Sequence, residues 1–197
     1  MSEKNETAPL TTKLPSRDEA WQLLCQYTEK EGLRKHALAV EAAVRFYARK
    51  LGEDEELWGI TALLHDFDYE RWPDAENHPF RGCEILESLG YPEIVRRAIL
   101  GHAPYSGVPR DTPLARALYA CDELAGFVVA VALIKPSKLL ADVDLQGVKK
   151  RLKEKAFARG VHREEVYAAV QEFGVPLDEH IQNVITALQQ AAPALGM

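Results

Sequence analysis

The 197-residue sequence predicts an all-α fold, and three observations carry that reading. Apolar residues recur at the three-to-four-residue spacing of amphipathic helices along most of the chain, no stretch alternates as a strand does, and Gly or Pro punctuates the helical runs. With 47% hydrophobic residues the chain can bury a full core, and its length suits one domain better than two. We therefore expect eight or nine helices in a single compact bundle over residues 16–197, preceded by a flexible polar tail over residues 1–15.

Ser16 and Glu19 have capping-box spacing and open a helix whose apolar face carries Trp21, Leu24, Cys25 and Tyr27, with Gly32 as its stop. A second helix covers residues 33–51, with His36 in its first turns, Leu38, Val40, Ala43, Val44 and Tyr47 on its apolar side, and Gly52 at its end. The acidic residues 53–56 favour the start of a third helix, which runs through 57–64 up to His65 and Asp66. Residues 67–77 hold no period and read as a loop. A fourth helix restarts around His78 or Pro79 and ends at Gly90, and a fifth begins at Pro92 and reaches His102. After a Pro- and Gly-rich connector, residues 114–134 form a central helix, apolar nearly all round in its second half and carrying Asp122. Pro136 ends it, a basic amphipathic helix over 142–159 is closed by Gly160, and two more cover 163–173 and 177–190.

A formal net charge of -6 and a pI near 5.6 argue against nucleic acid or an anionic membrane surface as a partner. Cys25, Cys83 and Cys121 show no CxxC spacing, and an odd count argues for reduced thiols. The first fifteen residues have neither an apolar signal core nor an Arg-rich amphipathic pattern, and the most apolar run, 127–134, is far short of the roughly 20 residues of a membrane span. A cytoplasmic protein is expected.

Chemistry concentrates on the adjacent pair His65 and Asp66. Consecutive helical residues project about 100° apart, so the pair can offer an imidazole nitrogen and a carboxylate oxygen to neighbouring positions around one ion. Alone the dipeptide is common. Here it follows His36 after 28 intervening residues and precedes Asp122 by a further 55. Asp122 lies among apolar neighbours, where an unpaired charge would be costly and a metal would remove the cost.

This pattern, with the lead-in Ala62-Leu63-Leu64 and the apolar setting Ala117-Leu118-Tyr119-Ala120-Cys121 before Asp122, resembles the HD superfamily of metal-dependent phosphohydrolases over residues 33–126. The stretch His78-Pro79-Phe80-Arg81-Gly82-Cys83-Glu84-Ile85-Leu86 resembles the His-Pro-x-x-Gly-x-Glu-x-Leu segment of two-metal HD proteins, which place a further ligand where His102 stands. The resemblance implies one or two divalent ions held by His36, His65, Asp66, His78, His102 and Asp122, with Asp66 bridging and a metal-activated water as nucleophile. Imidazole and carboxylate without thiolate suit Mn, Fe, Co or Zn, and Mg less readily.

The cyclic-dinucleotide phosphodiesterases of the superfamily continue His-Asp with Gly-Lys and carry Gly-Tyr-Pro, whereas this chain reads Phe67-Asp68-Tyr69-Glu70 after Asp66. That argues against cyclic-di-GMP. Asp68 is a candidate for orienting a ligand or acting as general base, and Arg81, Lys135 and Lys138 are candidates for contacting substrate phosphate. His162 reads as a helix-start residue, and His180 as a surface group or a neighbour of a ligand. The expected substrate is a phosphate ester of a nucleotide or other small phosphorylated metabolite. A di-iron oxygenase similar to myo-inositol oxygenase and a metal-binding regulatory module without turnover remain the alternatives.

Overall fold

Ser16 opens the first helix as its spacing requires: its hydroxyl accepts the Glu19 N–H, and the Glu19 carboxylate accepts the Ser16 N–H at 2.7 Å. In the computed structural model, which describes residues 14–197, the tail expected over 1–15 lies, but for Leu14 and Pro15, outside the described residues. The helix so capped is α1 (Arg17–Tyr27), and it stops short of Gly32. Thr28 turns extended, with its hydroxyl donating to the Phe67 carbonyl at 2.9 Å. The Glu70 carboxylate accepts the N–H groups of Glu29 at 2.7 Å and Lys30 at 3.0 Å, so the two residues leading into α2 (Glu31–Leu51) are held by a segment distant in sequence. Gly32 therefore falls inside the first turn of α2 and stops nothing.

Gly52 ends α2 in the left-handed conformation at φ 74°, as its position predicts. Asp54 then caps α3 (Glu55–Leu63) by accepting from the Glu56 and Leu57 N–H groups. His65 and Asp66 lie in the turns after α3, not on it. Next come α4 (Phe80–Ser88) and α5 (Glu93–His102), then α6 (Pro113–Leu133), capped by the Thr112 hydroxyl. The remaining helices are α7 (Leu145–Leu152), α8 (Arg163–Phe173), α9 (Leu177–Gln190) and the four-residue α10 (Ala192–Leu195), which brings the described total to ten. The helix expected over 142–159 is shortened to α7. Beyond it Ala158 takes a positive φ of 43°, and the Arg163 guanidinium donates to the carbonyls of Leu152, Glu154, Phe157 and Val161, which no helix then satisfies.

The middle of α6 is buried nearly all round, through Ala117, Leu118, Cys121, Leu124, Ala125, Phe127 and Val128, and packs on α2, α5, α8 and α9. A second apolar cluster joins α1, α3, α4 and α5 through Leu24, Ile60, Leu63, Leu86, Val95 and Ile99. Helices α2, α3 and α5 contribute to both clusters, which fixes the three helices that lead into the ligand-type side chains. Cys83 and Cys121 are buried free thiols, and Cys25 is half-buried. Among the described residues no helix is long and apolar enough to cross a membrane.

His180 is fully buried on α9, neither the surface group nor the neighbour of a ligand side chain that the sequence suggested. Its Nε2–H donates to the Ala120 carbonyl at 2.8 Å, and its Nδ1 accepts from the Tyr47 hydroxyl at 2.6 Å, joining α9, α6 and α2. Burial lowers the imidazole to about 4. The unfolded chain binds this proton below its ordinary value of 6.5 and the folded chain only near 4, so stability is lost as pH falls through that window, by up to about 1.4 kcal/mol per unit. Chemical denaturation at about pH 7.5 and about pH 5 should show His180→Gln losing less stability on acidification than the parent protein. Equal losses in the two proteins would remove His180 from the acid response.

Candidate metal centre

Three of the imidazoles are pinned by their outer nitrogens. His65 Nδ1 lies 2.8 Å from the Ala62 carbonyl, and His102 Nδ1 lies 2.5 Å from the Ile99 carbonyl. These carbonyls belong to the last turns of α3 and α5, where helical acceptors lack a helical donor. His78 Nδ1 lies 2.8 Å from Asp68 Oδ1. Carbonyl and carboxylate oxygens only accept, so each Nδ1 carries hydrogen and each Nε2 is free to present a lone pair inward.

The inward nitrogens meet two carboxylates. Asp66 Oδ1 is 3.3 Å from His78 Nε2 and 3.2 Å from His102 Nε2, while its Oδ2 is 3.4 Å from His65 Nε2 and 3.8 Å from His36 Nε2. Asp122 Oδ1 is 3.0 Å from His36 Nε2 and 3.3 Å from His65 Nε2. The six side chains thus divide into two groups that share Asp66: His36, His65 and Asp122 on one oxygen, His78 and His102 on the other. Ligands bonded at about 2.1 Å stand about 3.0 to 3.4 Å apart around an ion, from octahedral to tetrahedral angles. Most of the observed separations fall in that range. Buried His65 Nε2 has no hydrogen-bond partner of sound geometry, which fits a group shaped for an ion.

Electrostatics agree with the geometry. Burial alone would raise Asp66 and Asp122, yet His65 and the other facing imidazoles hold both carboxylates well below the usual range. Burial would lower His65 and His78, but the facing carboxylates raise His65 well above its ordinary value and His78 to about 9. Buried carboxylates here require positive charge, which protonated imidazole or a divalent ion can each supply.

Asp66 and Asp122 keep about a fifth of their side-chain surface exposed, toward a cleft of about 440 Å³. His36, His78 and His102 also line it, and its outer wall adds Tyr69, Tyr105, Glu123, His162 and Glu165. Asp68 does not line the cleft. It is buried, with Oδ1 facing His78 and Oδ2 accepting the Gly82 N–H at 2.8 Å, so it orients an imidazole and is not placed to act as general base. A Cβ on Gly82 would stand 2.8 Å from Asp68 Cγ, which is why this position of the His-Pro-x-x-Gly stretch holds glycine.

The three cationic candidates are elsewhere. Arg81 is exposed and pairs with Glu84 at 2.9 Å. Lys135 and Lys138 follow the end of α6 at Leu133, which the helical rise places about 16 Å along the axis from Asp122. No Lys or Arg is among the described residues lining the cleft. Proximity in sequence to a ligand-bearing helix did not specify its end. His162 stands at the start of α8 as expected, but also faces Glu123 Oε1 at 3.1 Å and Glu165 Oε1 at 3.5 Å. Gly126 was missed as well. It lies one turn beyond Asp122, where a Cβ would be 3.4 Å from His36 Nδ1, and its signal was a glycine inside an apolar helix, a choice that costs about 1 kcal/mol against alanine.

Residues 33–126 match the family model for the HD domain. Those residues are an HD domain. The matched span opens at the start of α2 and closes just beyond Asp122, so it contains all six side chains of the centre. HD domains are mostly metal-dependent hydrolases and bind divalent metals. No curated protein and no solved structure matches the chain.

The contact between Gly82 and Asp68 gives a direct test. Gly82→Ala should destabilise the protein by about 1–3 kcal/mol in chemical denaturation, because a buried, doubly bonded carboxylate must shift. Gly32→Ala, whose Cβ would meet nothing within 4 Å, should be neutral or stabilising. Similar losses from both would refute the close approach.

Proposed function

We propose that this HD domain hydrolyses a phosphate ester of a nucleotide or another small phosphorylated metabolite, with two divalent ions held by His36, His65, Asp66, His78, His102 and Asp122. The observation that carries this reading is the division of Asp66, whose two oxygens face separate groups of imidazoles. Divalent ions bound there would supply Lewis acidity toward phosphoryl oxygens and an acidified water. The protein's own part is positional. The backbone carbonyls of Ala62 and Ile99 and the carboxylate of Asp68 hold three imidazoles with Nε2 inward. The apolar residues beneath His65 exclude water from one side, and the cleft admits substrate from the other.

A cleft of about 440 Å³ suits a small molecule, since such sites commonly span about 300–1,000 Å³. Its acidic lining and the chain's net charge of -6 disfavour a nucleic-acid polymer. Residues 16–197 would act as one unit, because Gly160, His162 and Glu165 from beyond the HD span complete the cleft wall. A cytoplasmic small-molecule hydrolase accords with this reading.

The test is metal analysis of protein prepared without chelators, followed by phosphate release from a panel of nucleotides and sugar phosphates with Mn²⁺ or Co²⁺. At least two ions per chain are expected, two of them lost on mutation of the inner centre. Asp66→Ala should lower kcat/KM by more than about 100-fold, as befits a shared ligand. Absence of metal after reconstitution, or no turnover of any phosphoester by the two-ion protein, would overturn the proposal. Tightly bound iron with consumption of dioxygen would put an oxygenase in its place.

A further inference from the structure

Three side chains on the outer wall of the cleft take no part in the six-residue centre. Glu123 comes from α6, His162 from the start of α8 and Glu165 from its first turn. Each offers one ligand atom, and these atoms lie within 4.8 Å of one another. The His162 backbone N–H donates to Glu123 Oε2 at 3.3 Å, which leaves Oε1 turned toward the imidazole. Both carboxylates are largely covered, whereas the imidazole stands at the solvent side.

Charge around the cleft gives a separate argument. Asp66, Asp122, Glu123 and Glu165 all face it, and no Lys or Arg among the described residues does. Two divalent ions in the inner centre would outweigh Asp66 and Asp122 by two charges, but Glu123 and Glu165 at the rim would cancel that surplus. A phosphorylated substrate reaching that centre would still meet two carboxylates at the rim, where like charges repel in a partly enclosed space. A cation between them would turn repulsion into attachment.

We propose that Glu123, His162 and Glu165 form an outer site for one divalent transition-metal ion, which anchors a non-reacting anionic or polar end of the substrate across the cleft from the inner centre. One imidazole and two carboxylates suit Mn²⁺, Zn²⁺ or Co²⁺. The solvent-side approach leaves coordination positions for water or substrate. The anchoring role rests on the phosphoester reading above; the ion site itself does not.

Calorimetric titration of the full chain with Mn²⁺, checked by metal analysis after desalting and by the electron paramagnetic resonance of bound Mn²⁺, separates the two claims. The parent protein should hold three ions per chain. His162→Ala and the conservative Glu165→Gln, with unfolding temperatures near that of the parent, should each hold two. Asp66→Ala should lose inner ions and keep the outer one. The outer site is overturned if the parent and both rim variants hold the same number of ions. It is equally overturned if no ion remains in a folded Asp66→Ala protein. An outer ion bound by a parent protein whose inner centre stays empty would support this site while defeating the proposed hydrolase.

Discussion

Asp66 and Asp122 face each other's imidazoles in one enclosed group, and keeping those two charges there governs the arrangement of five chain segments. A carboxylate removed from bulk water needs positive charge and donors nearby. The chain meets that need with imidazoles drawn from α2, the turns after α3, the residue pair before α4 and the end of α5, while α6 brings Asp122. Because α2, α3 and α5 belong to both apolar clusters, the packing that folds the protein also sets the spacing of the charged group.

Two histidines stand where they do for a reason of backbone chemistry. A helix leaves its last carbonyls without helical donors, and a histidine at or just beyond the helix end can supply one from Nδ1 while aiming Nε2 the other way. His65 and His102 both use the carbonyl three residues back. His78 has no such helix end and takes a buried carboxylate, Asp68, which is itself held by the Gly82 N–H. The spacing between Asp68 and Gly82 therefore records a mechanical dependence: one side chain secures a ring and the start of α4 together.

Much of this was legible in the sequence. The spacing of His36, His65, Asp66 and Asp122 identified one part of the centre, and the capping box at Ser16 and the glycine at 52 marked helix ends through local chemistry. What escaped was set by distant partners. The end of α1 and the start of α2 depend on Phe67 and Glu70, some forty residues away, so no local signal announced them. The basic run after α7 carried a helical pattern, yet Arg163 satisfies its carbonyls from outside. His180, beside Asp178 and Glu179, read as a surface group or a neighbour of a ligand, but its ring turns inward to Ala120. Arg81, Lys135 and Lys138 flank ligand-bearing helices in sequence, yet none of them lines the cleft.

The segment between α7 and α8 supplies Gly160 and His162 to the cleft, and its course is fixed chiefly by the Arg163 guanidinium and by Phe157 set edge-on against Phe127. None of these anchors belongs to the inner centre. Chemistry and admission are consequently lodged in separable parts of the chain: the first in residues whose every neighbour constrains them, the second in a short stretch fastened at two points. Sequence change can accumulate in that stretch, reshaping what the opening accepts, without disturbing a single imidazole beneath it.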